Sequence, residues 1–219
     1  MKKWTGGLAV FLLLALLLPA ARAAETGYHK AYLTGYPDGS IRPEEPVTKE
    51  ELAQILLRLV EKRPEKLQTD STFCDLPKSR WSYEAVSAMA GLGVLQADVD
   101  GFFFPEKTVS GKALTVALDM IACTEQGEEA FSNLAAGWTR NENTLREALQ
   151  ERPQLSRAEL AATLNLLLCR KTEPEDQMGS ALYWDNQNKE AWYYAEIREA
   201  SISHSFVRQG DRERWSAVG

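Results

Sequence analysis

One helix opening occurs three times in this chain, and it constrains the fold more than any other feature. The copies are VTKEELAQILLRLV (residues 47–60), VSGKALTVALDMIA (109–122) and LSRAELAATLNLLL (155–168). Aligned on Thr48, Ser110 and Ser156, they place apolar residues four positions on (Leu52, Leu114, Leu160), eight on (Leu56, Leu118, Leu164) and eleven on (Leu59, Ile121, Leu167). That spacing lies along one face of an α-helix. Each copy also carries its own start signal. Thr48, Ser110 and Ser156 are N-cap types, whose hydroxyl accepts from an orphan backbone N–H of the first turn. Glu51 and Glu159 stand where a capping box needs them, and Ala113 does not. Val47, Val109 and Leu155 precede the caps as hydrophobic staples. A repeated unit of this length predicts an architecture of stacked, similar parts.

The flanks repeat as well. Asp38-Gly39 and Asp100-Gly101 each lie ten residues before a cap, and Pro43 and Pro105 each follow five residues after the Asp. Asp-Gly marks a turn because Gly tolerates positive φ, and Pro keeps the approach to the helix extended. The spacing predicts a helix starting near Trp81, capped by Asp75 or Ser79, with Trp81, Ala85, Val86 and Met89 on its apolar face. Gly91 and Gly93 end it. A second Trp-led helix is expected at Trp192, after Asp185, with Ile197 and Ala200 facing inward. Trp81 and Trp192 read either as core anchors or as platforms for a ligand. The third unit is worn: its Asp-Gly turn is missing, and Trp138 precedes Ser156 by 18 residues where Trp81 precedes Ser110 by 29. In it, Phe131-Ser132-Asn133 stands for the unit's start, residues 125–129 read as a polar loop, and Thr144 with Glu147 as the start of a short helix. Residues 29–34 read as an extended piece and the tail from Phe206 as extended or hairpin-like, packed by Trp215.

Residues 1–23 read as a secretory signal peptide, with Lys2 and Lys3 before an apolar run and Ala21-Arg22-Ala23 as the cleavage site. The run is too short for a confident membrane span. Removing Lys2, Lys3 and Arg22 would take the net charge from −6 to −9. An acidic exported chain is a poor partner for nucleic acid. Three cysteines, Cys74, Cys123 and Cys169, form no disulfide framework. They read either as small buried hydrophobes at helix ends or, for Cys123 and Cys169, as a bridge. His29 and His204, the only histidines, have no metal-ligand spacing around them. Asp98 to Gly101 reads as a turn, because Val109 stands where a calcium loop needs its Glu. No nucleophile, metalloprotease or phosphate-loop motif is present, so neither a catalytic residue nor a cofactor is expected.

The motifs GYPDGSIRP and VTKEE, DGFFFP and VSGKA, LSRAE, FCDLPKSRWSYEAV and WYYAEIREASISHSF together resemble the S-layer homology family. The resemblance implies a mainly α fold, a pseudo-threefold helical bundle of three permuted repeats with connecting loops. Its parts would be the second half of repeat 1 (residues 28–70), repeat 2 (71–124), a degenerate repeat 3 (125–172) and a terminal half-repeat with tail (180–219). Closing the ring would pair the Trp192 helix with the Thr48 helix and bring the termini together. The family's role implies an exported, non-enzymatic module held at the wall or surface of a Gram-positive-type bacterium. Its partner would be a pyruvylated secondary cell-wall polysaccharide. Carried over by position, the contacts would be Thr48 and Lys49, Ser156 and Arg157, with Tyr36 or Trp81 against sugar faces. Gly111 replaces the basic residue in the second unit, and Lys112 comes one place later. The physical reading is that free N–H groups and a positive dipole end at each helix start, reinforced by Lys or Arg, would receive a carboxylate. The alternative is a degenerate member that keeps the fold without the polysaccharide and binds another envelope protein.

Overall fold

The computed structural model describes residues 24–64 and 73–219. The expected signal peptide lies outside the described residues. The fold is mainly α. In chain order the elements are β1 (Thr26–His29), α1 (Lys49–Leu59), α2 (Tyr83–Gly91), α3 (Gly111–Cys123), α4 (Glu125–Ala130), α5 (Ser132–Gln150), α6 (Arg157–Leu167), α7 (Tyr194–Ser201), β2 (His204–Gln209) and β3 (Arg212–Val218). The three repeated stretches are α1, α3 and α6. Their caps are Thr48, Ser110 and Ser156, and capping boxes close in α1 and α6. Leu52, Leu56, Leu114, Leu118, Leu160 and Leu164 share one core.

The staple residues meet at its centre. Val47 N–H donates to the Leu155 carbonyl at 2.9 Å, Leu155 to Val109 at 2.8 Å, and Val109 back to Val47 at 2.8 Å. All three residues are buried, so each extended backbone group needs a partner, and each finds it in the next copy. The repeat is thereby a way of making three helix starts satisfy one another.

Helix α2 packs on α1, α4 and α5 pack on α3, and α5 and α7 pack on α6. Closure between α7 and α1 is therefore not helix on helix. It runs through loops. The Asp185 carboxylate accepts from the Ile41 and Arg42 N–H groups at 2.9 and 2.7 Å. Asp75 does the same for Phe103 and Phe104, at 2.8 and 2.7 Å. Arg42 and Phe104 hold equivalent positions, and both are left-handed, at φ 50° and 56°. Each Asp thus fixes a strained loop two bonds at a time. The last half-unit does for the first loop what residues 73–75 do for the second. Strand β1 pairs with β2, His29 opposite His204, and β2 with β3. The Gly219 N–H reaches the Ser203 carbonyl at 3.0 Å, and β1 and β3 flank β2 on either side.

Several expectations change. Asp75 is not a helix cap, because its oxygens are committed to the loop; Ser79 is not one either, since α2 starts later, at Tyr83, with no side-chain cap bond. Trp81 precedes α2 and is 60% exposed, and Trp192 is 61% exposed before α7, so neither anchors the core. The expected polar loop at 125–129 is helix α4, capped by Thr124. Thr144 and Glu147 lie inside the long α5, whose Trp138 is buried and donates to Asp119 at 3.0 Å. The extended piece near residue 29 sits earlier, in β1. The tail is the expected hairpin, with Trp215 buried. Cys74, Cys123 and Cys169 are exposed and unpaired, neither buried nor bridged.

Candidate functional site

The starts of α1 and α6 do not offer free N–H groups, and at α3 the first is taken as well. Lys49 N–H donates to the Lys107 carbonyl at 2.9 Å and Glu50 N–H to Pro105 at 3.0 Å. Arg157 N–H donates to Glu45 at 3.0 Å, Ala158 N–H to Pro43 at 2.8 Å, and Gly111 N–H to Arg152 at 3.0 Å. The cap hydroxyls take the third N–H of each helix, at Glu51, Ala113 and Glu159. Proline carbonyls from the neighbouring loop therefore occupy the places a carboxylate would take. Neither α1 nor α6 has a bare end left to receive an anion.

The basic residues after the caps have another use. Arg157 is 3% exposed. Its Nε donates to the Ile41 carbonyl at 2.7 Å, its Nη2 to Thr34 at 2.6 Å, and its Nη1 meets Glu51 at 3.2 Å. Lys49 Nζ donates to the Phe103 carbonyl, and Phe103 is the equivalent of Ile41. Burial, then the charge of Lys107, lowers the Lys49 pKa. Each basic residue thus grips the loop of the next unit from below.

Two grooves lie above those grips, and they are equivalent by position. The larger, about 710 Å³, is lined by Thr34, Tyr36, Thr48, Gln54, Arg58, Trp81 and Arg157 among others. The smaller, about 390 Å³, is lined by Gln96, Ser110, Lys112, Val116, Met120 and Lys49 among others. Arg157 serves the first as Lys49 serves the second. In the third unit Gly111 would have this place, but a Cβ there would lie 2.0 Å from the Leu149 carbonyl oxygen. The end of α5 fills the space. The missing basic residue and the missing Asp-Gly loop are therefore one change, not two.

Of the residues expected to bind, Tyr36, Thr48, Trp81 and Arg157 meet in the first groove, Lys49 and Lys112 meet in the second, and Ser156 lines neither. The first groove's acids are already satisfied. Glu51 accepts from the Tyr36 hydroxyl at 2.5 Å and from the Thr48 N–H at 2.9 Å. Burial and the bond to Glu51 raise the Tyr36 pKa to about 12. Glu50 is clamped by Arg80 at 2.7 and 2.8 Å and by Ser82 at 2.6 Å. Burial works to raise its pKa, but the Arg80 and Ser82 bonds outweigh that and lower it. Arg58 is different. It is half-buried, donates to the Tyr32 carbonyl at 3.3 Å, and has no carboxylate partner among the described residues. Burial, with Arg157 nearby, lowers its pKa. A partly desolvated guanidinium and an exposed indole lining one groove suit a ligand with one carboxylate and a flat apolar face. Sequence reasoning missed Arg58. It is visible there as a polar residue seven positions after Glu51, where the equivalent residues are Met120 and Leu166.

No helix among the described residues is long and apolar enough to cross a membrane. Residues 19–53 and 72–112 match the family model of the S-layer homology domain. The chain is 25% identical over 214 residues to cell surface glycoprotein 1 of Acetivibrio thermocellus, covering 86% of this chain and 9% of that one. It is 26% identical over 203 residues to the cellulosome-anchoring protein of the same organism, covering 83% of this chain and 44% of that one. The chain thus spans less than half the length of either relative. No solved structure matches it. The repeated capped helices, their loop-gripping basic residues and these matches agree over residues 19–53 and 72–112, where the chain matches the S-layer homology domain.

Proposed function

We propose that this chain is a non-enzymatic anchoring module of the bacterial cell surface, and that its ligand is an acidic wall polysaccharide of the pyruvylated secondary-polymer type. The observation that carries this reading is the first groove, which Trp81, Tyr36, Arg58 and Arg157 line together. The ketal carboxylate would meet Arg58, and the sugar face would lie on Trp81. Thr48 and Arg157 shape the site, and Arg157 acts by holding the first loop rather than by reaching out. The cell-surface and anchoring names of the two relatives support the same reading. The second groove lacks an exposed aromatic wall, since Trp138 is buried, and the third is filled by α5. One working site is therefore proposed, at the α1 groove, with Lys49, Lys112 and Ser156 outside it.

A second reading, a protein-interaction module of the envelope, draws on the filled third groove and on the second groove's lack of an exposed aromatic wall. Sedimentation with purified Gram-positive walls separates the two. Under the anchoring reading the protein co-sediments, chemical removal of the secondary polymer abolishes this, and Trp81→Ala or Arg58→Ala weakens it at least tenfold. Lys112→Ala leaves it unchanged. Trp81 is exposed, and Glu50, which its side chain also bonds, keeps Arg80 and Ser82, so the Trp81 variant is expected to stay folded. Binding that survives polymer removal, or that is indifferent to Trp81, favours the protein-interaction reading.

A further inference from the structure

The two histidines, 175 positions apart in sequence, come together at the clasp of the chain ends. His29 on β1 and His204 on β2 are direct cross-strand partners. Glu213 comes from β3 and Glu199 from α7. One ligand atom each of His29, Glu199 and Glu213 lies within 4.8 Å of the others. His29 Nε2 is 2.9 Å from Glu213 Oε2, and His204 Nε2 is 3.2 Å from Glu199 Oε1. Glu199, Glu213 and His204 are all 0% exposed.

Each carboxylate has one oxygen held from outside. Glu199 Oε2 accepts from the Trp215 indole N–H at 2.9 Å, and Glu213 Oε1 from Arg208 at 2.6 Å. Both inner oxygens are left toward the histidines. Glu199 Oε1 and His204 Nε2 face one another without the alignment of a hydrogen bond, and neither has another partner among the described residues. Beyond that 3.2 Å contact the buried Glu199 Oε1 accepts no hydrogen bond, and a buried carboxylate oxygen left so is costly enough to call for a cation. Outer donors that orient inward carboxylates are the usual support of a metal site.

We infer that His29, Glu199 and Glu213 bind one divalent transition-metal ion, Zn²⁺ by ligand chemistry, with His204 Nε2 beside it, and that the ion locks β1 to the hairpin and α7. One imidazole and two carboxylates fit a borderline ion with a position left open, and the nitrogen ligand disfavours Ca²⁺ or Mg²⁺. His29 is partly exposed at its side chain, which provides an entry path. Sequence spacing could not reveal this group, because every ligand comes from a different element.

The test uses the full chain with Cys74, Cys123 and Cys169 changed to Ser, which removes competing thiolates. After chelator treatment it is titrated with Zn²⁺, with Co²⁺ and with Ca²⁺ while thermal unfolding is followed. The expected result is saturation at one Zn²⁺ per chain with a raised melting temperature, and a tetrahedral visible band with Co²⁺. His29→Gln, at a partly exposed position, abolishes both effects while the metal-free variant keeps its helical circular dichroism. Glu213→Gln gives the same loss. No saturable uptake, uptake untouched by His29→Gln, or equal stabilisation by Ca²⁺ would each overturn the inference.

Discussion

At the scale of single residues, carboxylates hold this protein's loops. Asp185 satisfies the N–H groups of Ile41 and Arg42, and nothing else in that loop stands ready to replace it. Asp185→Ala is expected to cost about 1–3 kcal/mol, the usual penalty for stranding partly buried donors, measured by urea denaturation. Asp75→Ala should cost a similar amount, for the same reason at the second loop. Glu50 carries a pH dependence. Its folded pKa lies below its ordinary 4.5, so its contribution to stability is fully present above that value and is lost as the pH falls through the folded value. Urea midpoints between neutral pH and about pH 3 should fall steadily, and Glu50→Gln should flatten that slope. A slope unchanged in Glu50→Gln would show that other groups carry the acid sensitivity. Asp185 and Asp75 were legible in sequence as an aligned pair. Their role was not, because both precede a helix, and Asp75 looks like its cap until the backbone it reaches for is known.

At the scale of elements, α5 is where the third unit departs from the others. It is long, it swallows the segment where an Asp-Gly loop stands in the other units, and its end lies against the start of α3. Gly137 in α5 passes the Leu167 carbonyl so closely that a Cβ would sit 1.9 Å away, and Gly111 faces Leu149 in the same manner. Gly137→Ala and Gly111→Ala are each expected to cost about 1–3 kcal/mol through overpacking. Gly111→Lys restores the residue type that the other units carry in basic form. It should destabilise the fold by at least as much as Gly111→Ala and add no wall binding. Normal stability in Gly111→Lys would mean that α5 can move aside. The helices themselves were readable from caps and apolar spacing. The continuity of α5 was not, because Thr144 with Glu147 is also a sound local capping signal, and packing on α3 decides against it.

At the scale of the whole molecule, the fold is a ring closed by its own last segment. Residues 180–219 supply Asp185 to the first loop, α7 to the face of α6, and β2 to β1. A chain ending at Met178 keeps all three capped helices and loses these three contacts together. It should lose cooperative thermal unfolding by circular dichroism rather than shift it by a few degrees. A sharp transition in that truncated chain would show that the closure is dispensable. Anchoring, under the proposed reading, depends on this closure only indirectly, since the first groove is walled by a loop that Asp185 holds.

By itself the sequence determined where helices begin, which face of each is buried and that three units share one plan. These are local properties, set by caps, turn residues and apolar periods that act within a few positions. Tertiary structure alone decided what the polar residues do. Arg157 reaches a carbonyl 116 residues away, Asp185 reaches backbone 144 residues away, and His29 meets a carboxylate 184 residues away. No short-range rule reports on such pairs. A charged or polar side chain takes its role from the partner that burial forces upon it, and that partner is chosen only when the ring closes.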